Sequence, residues 1–199
     1  MTIEVTMHRS LFSIVLLTAA LLAGSPAASE SAAGADDAPA VRLETTLGNI
    51  DIEVYPDRAP ETAANFLDLV DTGFYDGLIF HRVVAGFVIQ AGGYDKDLGY
   101  RTPPRTVVNE STNGLRNQKY SVAMARLSDP DTADSQFFIN VRHNPNLDGD
   151  RTRPGYTVFG QVIAGMDVVT TIELVDTHLE GGMAGVPEED VIILRATRL

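Results

Sequence analysis

The side chains best suited to chemistry lie in two short segments of the sequence. Arg82 and Gln90 flank an apolar run, and Gln136 stands directly before the pair Phe137-Phe138. Arginine keeps its charge at any physiological pH and donates hydrogen bonds, while glutamine both donates and accepts them. None of these groups is a nucleophile or a proton carrier near neutral pH. The set therefore indicates a reaction that forms no covalent intermediate.

The common reactive motifs are missing from the chain. Cysteine is absent, which excludes disulfides, thiolate catalysis and cysteine-ligated metal sites. The histidines do not pair at H-x-H or H-E-x-x-H spacing, so no metal site is expected. No G-x-S-x-G or S-x-x-K motif marks a serine nucleophile, and no P-loop marks a nucleotide site. A catalytic triad assembled in space from Ser135, His81 and an aspartate stays an open alternative.

Composition indicates one globular domain of acidic character. The chain has 199 residues, of which 44% are hydrophobic and 21% charged, and its formal net charge is −12. An acidic protein repels phosphate backbones and anionic lipid headgroups. We therefore expect no nucleic-acid partner and no membrane-surface partner.

The beginning of the chain is typical of a secretory leader. Basic residues precede an apolar run at 11–22, and small residues follow it. This run is short for a bilayer span but matches the apolar region of a signal peptide. We predict a signal peptide over residues 1–29 with cleavage near 25–29, then a flexible lead-in over residues 30–40. Export without stable membrane association follows as an expectation, and an uncleaved membrane anchor is the alternative.

Short strands and two helices are predicted for the remainder. Alternating apolar and polar residues over 41–54 indicate a β-hairpin. An i, i+3, i+4, i+7 apolar stripe predicts a helix that begins at Pro60 and ends before Gly73, and a second helix is expected over 166–174. Further strands are expected at 80–84, 87–91, 120–125, 136–141, 156–162 and 191–197. Because closure removes exposed strand edges, we predict a mainly β fold, a closed eight-stranded antiparallel β-barrel capped by two α-helices.

Four blocks of the sequence carry a family resemblance. The blocks are 80–93 (FHRVVAGFVIQAGG), 122–126 (VAMAR), 134–140 (DSQFFIN), and 146–149 (NLDG) with 156–160 (YTVFG). In order and spacing they resemble the cyclophilin-type peptidyl-prolyl cis/trans isomerases, over about residues 41–199. The VAMAR block and the leader resemble the bacterial periplasmic branch. The resemblance implies a cyclophilin-like barrel over this range and a periplasmic location.

The resemblance also implies roles for particular residues. Arg82, Phe87 and Gln90 are expected to be catalytic. The expected substrate-binding residues are His81, Met124, Ala125, Arg126, Gln136, Phe138, Leu147 and Tyr156. Of these residues, Phe87, Met124, Phe138 and Leu147 would form an apolar slot for a proline ring. Phe137 is assigned to the core because neighbouring strand residues point to opposite faces.

The implied partners are proline-containing polypeptides, unfolded or flexible exported proteins whose folding the enzyme would assist. No cofactor is expected, and a monomer is expected because no interface stripe is evident. Asn146 stands where many eukaryotic members of the family have tryptophan, and the chain contains no tryptophan. Weak binding of cyclosporin is therefore implied.

The chemistry of X-Pro rotation suits these residues. The amide barrier is about 18–20 kcal/mol because the nitrogen is conjugated with the carbonyl. Arg82 can donate to the proline nitrogen lone pair, which becomes available only when the amide twists, so the interaction strengthens in the transition state. Two alternatives are a proline-binding or chaperone module without meaningful catalysis, and an unrelated small barrel that binds a ligand. A binding module could lose Arg82 and keep the pocket, so the presence of Arg82 together with Phe87 and Gln90 favours the enzyme.

Overall fold

The computed structural model describes residues 38–150 and 152–199. The predicted signal peptide over 1–29 lies outside the described residues, and so do residues 30–37 of the predicted lead-in. The first strand begins at Ala40, which is the last residue of the predicted lead-in. In the part of the chain that is described, neither α-helix is long and apolar enough to cross a membrane.

Ten strands and two α-helices lie in the described residues. In chain order the strands are β1 (Ala40–Thr45), β2 (Gly48–Val54), β3 (Arg82–Val84), β4 (Val88–Ala91), β5 (Ser121–Met124), β6 (Phe137–Asn140), β7 (Val158–Ala164), β8 (Thr177–Glu180), β9 (Met183–Pro187) and β10 (Ile193–Arg198). The α-helices are α1 (Pro60–Asp71) and α2 (Met166–Glu173), and single 3-10 turns lie at Pro130–Thr132 and Pro145–Leu147. Each predicted strand and helix overlaps an observed one, whereas the β8–β9 hairpin was not predicted.

Eight of the strands form one antiparallel sheet in the order β10-β1-β2-β7-β5-β6-β4-β3. The mainly β prediction, with eight antiparallel strands and two helices, is therefore confirmed. The predicted closure is not, because the edge strands β10 and β3, both within the described residues, do not pair with each other. The segments that directly precede β3 and β10 meet at a single bridge between Ile79 and Ile192. The sheet is therefore curled and open rather than a fully closed barrel.

Helix α1 packs on the inner face of the sheet through the predicted apolar stripe. The buried residues of that stripe are Ala63, Phe66, Leu67 and Val70. The Phe66 ring lies 4.9 Å from the ring centroid of Phe159 and 5.6 Å from that of Phe137. At the helix start, the Glu110 carboxylate accepts hydrogen bonds from two backbone amides, those of residues 61 and 62. This bonding satisfies donors that a helix N-terminus otherwise leaves free.

The curled sheet carries apolar side chains on both faces. Its inner face contributes Ile89, Phe137 and Ile139 to the main core. Their strand neighbours face the other way, and there Val88 and Phe138 belong to a second, smaller apolar cluster. This division follows from the two-residue period of a β-strand. The second cluster forms the floor of the candidate site.

Candidate active site

A row of paired residues places the predicted catalytic side chains on one face of the sheet. Arg82 of β3 pairs with Gln90 of β4, and Gln90 pairs with Phe138 of β6. Phe138 pairs in turn with Ala123 of β5. Residues that pair directly across antiparallel strands project from the same face. Segments far apart in sequence therefore meet at one site.

The polar end of this row is a chain of hydrogen bonds. Arg82 Nη1 donates to Gln90 Oε1 at 3.4 Å, and Gln90 Nε2 donates to Gln136 Oε1 at 3.0 Å. Among the described residues, Arg82 makes no ion pair and no other side-chain hydrogen bond. Its guanidinium is half-buried and keeps donors available for a bound molecule.

The apolar end of the row opens into a cavity of about 250 Å³, which we call the proline slot. Its lining residues are Arg82, Phe87, Val88, Gln90, Ala125, Arg126, Phe138, Leu147 and Tyr156. The rings of Phe138 and Tyr156 meet edge to face with centroids 5.6 Å apart. A slot with apolar rings on its walls and the Arg82 guanidinium at its rim can hold a small hydrocarbon ring beside a hydrogen-bond donor.

A second cavity of about 410 Å³ adjoins the slot and shares Gln90, Ala125 and Arg126 with it. Its other lining residues are Tyr94, Tyr100, Leu127, Thr132, Asp134 and Gln136. Sequence reasoning missed the tyrosines and Asp134, which lie outside regular strands. The Tyr100 hydroxyl donates to Asp134 Oδ2 at 2.7 Å. Partial burial and this hydrogen bond raise the pKa of Tyr100, which stays a neutral donor.

A buried polar network supports the slot from behind. Asn144 Nδ2 donates to the carbonyl of Phe87 at 2.9 Å and to Asn140 Oδ1 at 2.7 Å. Asn140 Nδ2 donates to Asn117 Oδ1 at 3.2 Å, and Asn117 donates from its backbone and its side chain to Asp148 Oδ1. The network fixes the backbone at Phe87, a slot residue, to the chain on either side of Leu147. Sequence reasoning missed these asparagines because nothing in their spacing marks them.

All but two of the predicted site residues line one of the two cavities. Met124 is one exception: it is 1% exposed and packs in the main core. It pairs with Phe137, so it shares the inner face with that residue and lies on the opposite side of the sheet from Phe138. The prediction that Met124 lines the slot is therefore wrong. Val88 lines the slot and was not predicted.

His81 is the second exception. It is 3% exposed, lines neither cavity and stacks against Tyr94 with ring centroids 4.8 Å apart. Burial, with a smaller contribution from the Arg82 charge, lowers the pKa of His81 to about 4, so the ring is neutral at pH 7. A direct contact with substrate is therefore not supported for His81.

The triad that the sequence left open does not form. The Ser135 hydroxyl is fully buried and donates to the carbonyl of Gly92 at 2.7 Å, so it is not directed at His81. Within residues 38–150 and 152–199, no three histidine, aspartate or glutamate side chains are grouped so that they could hold a metal ion. The described groups offer hydrogen bonds and an apolar surface to a substrate.

The fold defines the class of protein. A crystal structure of a cyclophilin type peptidyl-prolyl cis-trans isomerase from Cryptosporidium parvum, in the presence of the dipeptide Ala-Pro, matches this structure with a TM-score of 0.65 and 28% sequence identity. The match covers 79% of this chain and 96% of that chain. The architecture is thus that of a cyclophilin.

Sequence comparison identifies the family. The family described as cyclophilin type peptidyl-prolyl cis-trans isomerase/CLD matches residues 40–198, and the chain belongs to it. A peptidyl-prolyl cis-trans isomerase of Acinetobacter baylyi is 47% identical over 77% of this chain and 82% of the relative. Peptidyl-prolyl cis-trans isomerase A of Dickeya dadantii is 40% identical over 96% of this chain and 97% of the relative. The enzyme class expected from the sequence is confirmed.

Proposed function

We propose that this isomerase rotates X-Pro bonds of exported polypeptides in the periplasm, assists their folding and forms no covalent intermediate. The observation that carries the catalytic part is the position of Arg82 at the rim of the proline slot, where Gln90 is its hydrogen-bond partner. The slot supplies apolar walls, and the guanidinium supplies donors. The combination suits a proline ring and its amide nitrogen.

The reaction needs stabilisation of a twisted amide. In the planar amide the nitrogen lone pair is conjugated with the carbonyl and accepts poorly, whereas in the twisted amide the lone pair is free. A donor from Arg82 is therefore bound more strongly in the transition state, which is the condition for catalysis. Lowering the barrier by about 7 kcal/mol would accelerate rotation about 10⁵-fold. Gln90 accepts a hydrogen bond from the guanidinium and donates one to Gln136, which orients Gln90 and leaves the remaining donors of Arg82 free.

The two adjoining cavities support an extended peptide as the substrate. With proline in the slot, the residues next to it reach the second cavity across the wall that Gln90, Ala125 and Arg126 share. The solved relative in the presence of Ala-Pro supports the proline-containing ligand. Asn146 is exposed and its side chain does not line the slot, which supports weak cyclosporin binding.

The location rests on the sequence. The apolar run at 11–22 and the small residues after it support export to the periplasm. The acidic net charge supports a protein without a membrane-surface partner, and a monomer is proposed because no interface stripe is evident in the sequence. Fractionation of cells that express the full chain tests this part. Recovery of a shortened protein in the periplasmic fraction is expected, and recovery of the full-length chain in the membrane fraction would contradict it.

Exchange NMR on a blocked Ala-Ala-Pro-Ala peptide tests the activity directly. The purified protein is expected to accelerate cis/trans exchange at a small fraction of the peptide concentration. Binding of the peptide without acceleration would instead favour the proline-binding module.

A further inference from the structure

The guanidinium of Arg126 is hydrogen-bonded to main-chain carbonyls of two separate loops. On one side, Nε donates to the carbonyl of Gly155 at 3.0 Å and Nη2 donates to that of Pro154 at 2.9 Å. On the other side, Nη1 donates to the carbonyls of Leu127 at 2.8 Å and Ser128 at 3.4 Å. These bonds use most of the five N–H donors of the group. We call Arg126 with these four carbonyls the Arg126 clasp.

The clasp contacts a wall of each cavity. The guanidinium carbon lies 4.8 Å from the ring centroid of Tyr156, within the range of a cation–π interaction. The Tyr156 ring packs edge to face on Phe138 in the proline slot. Leu127, on the other loop, lines the second cavity. One side chain therefore connects the loops that line the proline slot and the second cavity, which together we call the peptide groove.

The charge of Arg126 has no carboxylate partner among the described residues, although the chain carries a net charge of −12. Carbonyl dipoles and the Tyr156 ring stabilise it instead. A planar guanidinium matches several carbonyls at once, whereas the compact ammonium of lysine does not. The chemistry of the clasp is therefore specific to arginine.

We propose that Arg126 is a positioning residue, which orders the peptide groove and does not bind the peptide through its side chain. This inference rests on the proposed function. Loops that are held in place before the peptide arrives need not be ordered during binding, so the clasp lowers the entropic cost of association. Because Arg82 and the slot floor are held by other contacts, the clasp governs peptide affinity more than the rotation step. The resemblance implied a peptide contact through the main chain of Arg126, and this role of the side chain is compatible with that contact.

The test compares Arg126→Met with a matched control, Arg101→Met. Arg101 forms a similar set of contacts outside both cavities: its Nη1 donates to the carbonyls of Phe74 at 2.7 Å and Asp76 at 2.9 Å, and its guanidinium lies 5.9 Å from the Phe74 ring. Titration of the blocked Ala-Ala-Pro-Ala peptide gives Kd, exchange NMR gives KM and kcat, and urea unfolding gives stability. Arg126→Met is expected to weaken Kd and raise KM about tenfold, with kcat changed about threefold or less.

Arg101→Met is expected to lose stability while its Kd and KM stay at the wild-type values. Wild-type Kd and KM in Arg126→Met would overturn the proposal, and so would an equal loss of affinity in Arg101→Met. If Arg126→Met fails to fold, Arg126→Lys provides the same comparison: about threefold weaker binding is expected, and wild-type binding would overturn the proposal. A wild-type protein that binds the peptide but does not accelerate exchange would refute the proposed function while leaving the affinity comparison valid.

Discussion

Replacing Asn144 with alanine is expected to destabilise the protein by about 3 kcal/mol. The side chain is fully buried, and its amide nitrogen donates to the carbonyl of Phe87 and to Asn140 Oδ1. The Phe87 carbonyl keeps a second donor, the backbone N–H of Val141 at 3.1 Å. Asn140 Oδ1 has no other hydrogen-bond partner among the described residues and would be left unsatisfied.

The magnitude follows from these two losses, since the third hydrogen bond of the side chain, which Arg142 Nε donates to Asn144 Oδ1 at 3.1 Å, comes from an exposed residue and contributes little. A net hydrogen bond contributes about 1 kcal/mol, and a buried acceptor without a partner costs about 1–3 kcal/mol. Their sum of about 3 kcal/mol corresponds to a fall in Tm of about 6–12 °C for a domain of this size. Because the backbone at Phe87 would also shift, kcat/KM is expected to fall about tenfold at a temperature where the variant is fully folded.

Urea unfolding and exchange NMR measure both effects, and the matched control is Asn146→Ala. Asn146 is exposed and lies two residues further along the same loop, so its replacement is expected to change the free energy of unfolding by less than about 0.5 kcal/mol. If Asn144→Ala unfolds at the same urea concentration as Asn146→Ala, the network does not support the slot and the reasoning is refuted.

Other perturbations separate the core from the site. Met124→Ala is expected to cost about 2–5 kcal/mol of stability with kcat/KM of the folded protein unchanged. A variant of unchanged stability with weaker peptide binding would show that Met124 lines the slot after all. The lowered pKa of His81 means that the unfolded state binds a proton near the ordinary value of 6.5 and the folded state only near 4. The contribution of neutral His81 to the free energy of unfolding is therefore complete above about pH 6.5 and falls by about 3 kcal/mol toward pH 4. Urea unfolding of His81→Gln should show a smaller loss of stability over this pH range. An equal loss in the variant would contradict the lowered pKa of His81. Treatment with EDTA is expected to leave the isomerase rate unchanged, and inactivation would show a metal requirement.

The face of each strand could be read from the sequence, but the register between strands could not. Alternation correctly separates Phe138 from Phe137, and it separates Met124 from Ala123 in the same way. Which pair shares a face depends on how β5 aligns with β6, and the observed alignment places Met124 opposite Phe137. Register is set by long-range packing, so local periodicity alone could not place Met124 in the core.

The second cavity could not be predicted because irregular loops build it. Tyr94 and Tyr100 approach each other through an isolated bridge between two loop segments. No periodic pattern in the sequence predicts this bridge. The β8–β9 hairpin carries a usable signal in Gly181-Gly182, since paired glycines favour tight hairpin turns. All of β8 is exposed, so the apolar alternation that reveals other strands is missing there.

The central claim is that Arg82 stabilises the twisted amide. The most direct test is the cis/trans exchange rate of peptide bound to Arg82→Ala, compared with the wild type and with Arg195→Ala, an exposed arginine on β10 outside the slot. Loss of one charged donor to the transition state is expected to lower kcat about 10²–10³-fold, with peptide affinity and unfolding midpoint nearly unchanged. Near wild-type exchange in folded, peptide-saturated Arg82→Ala would contradict the account.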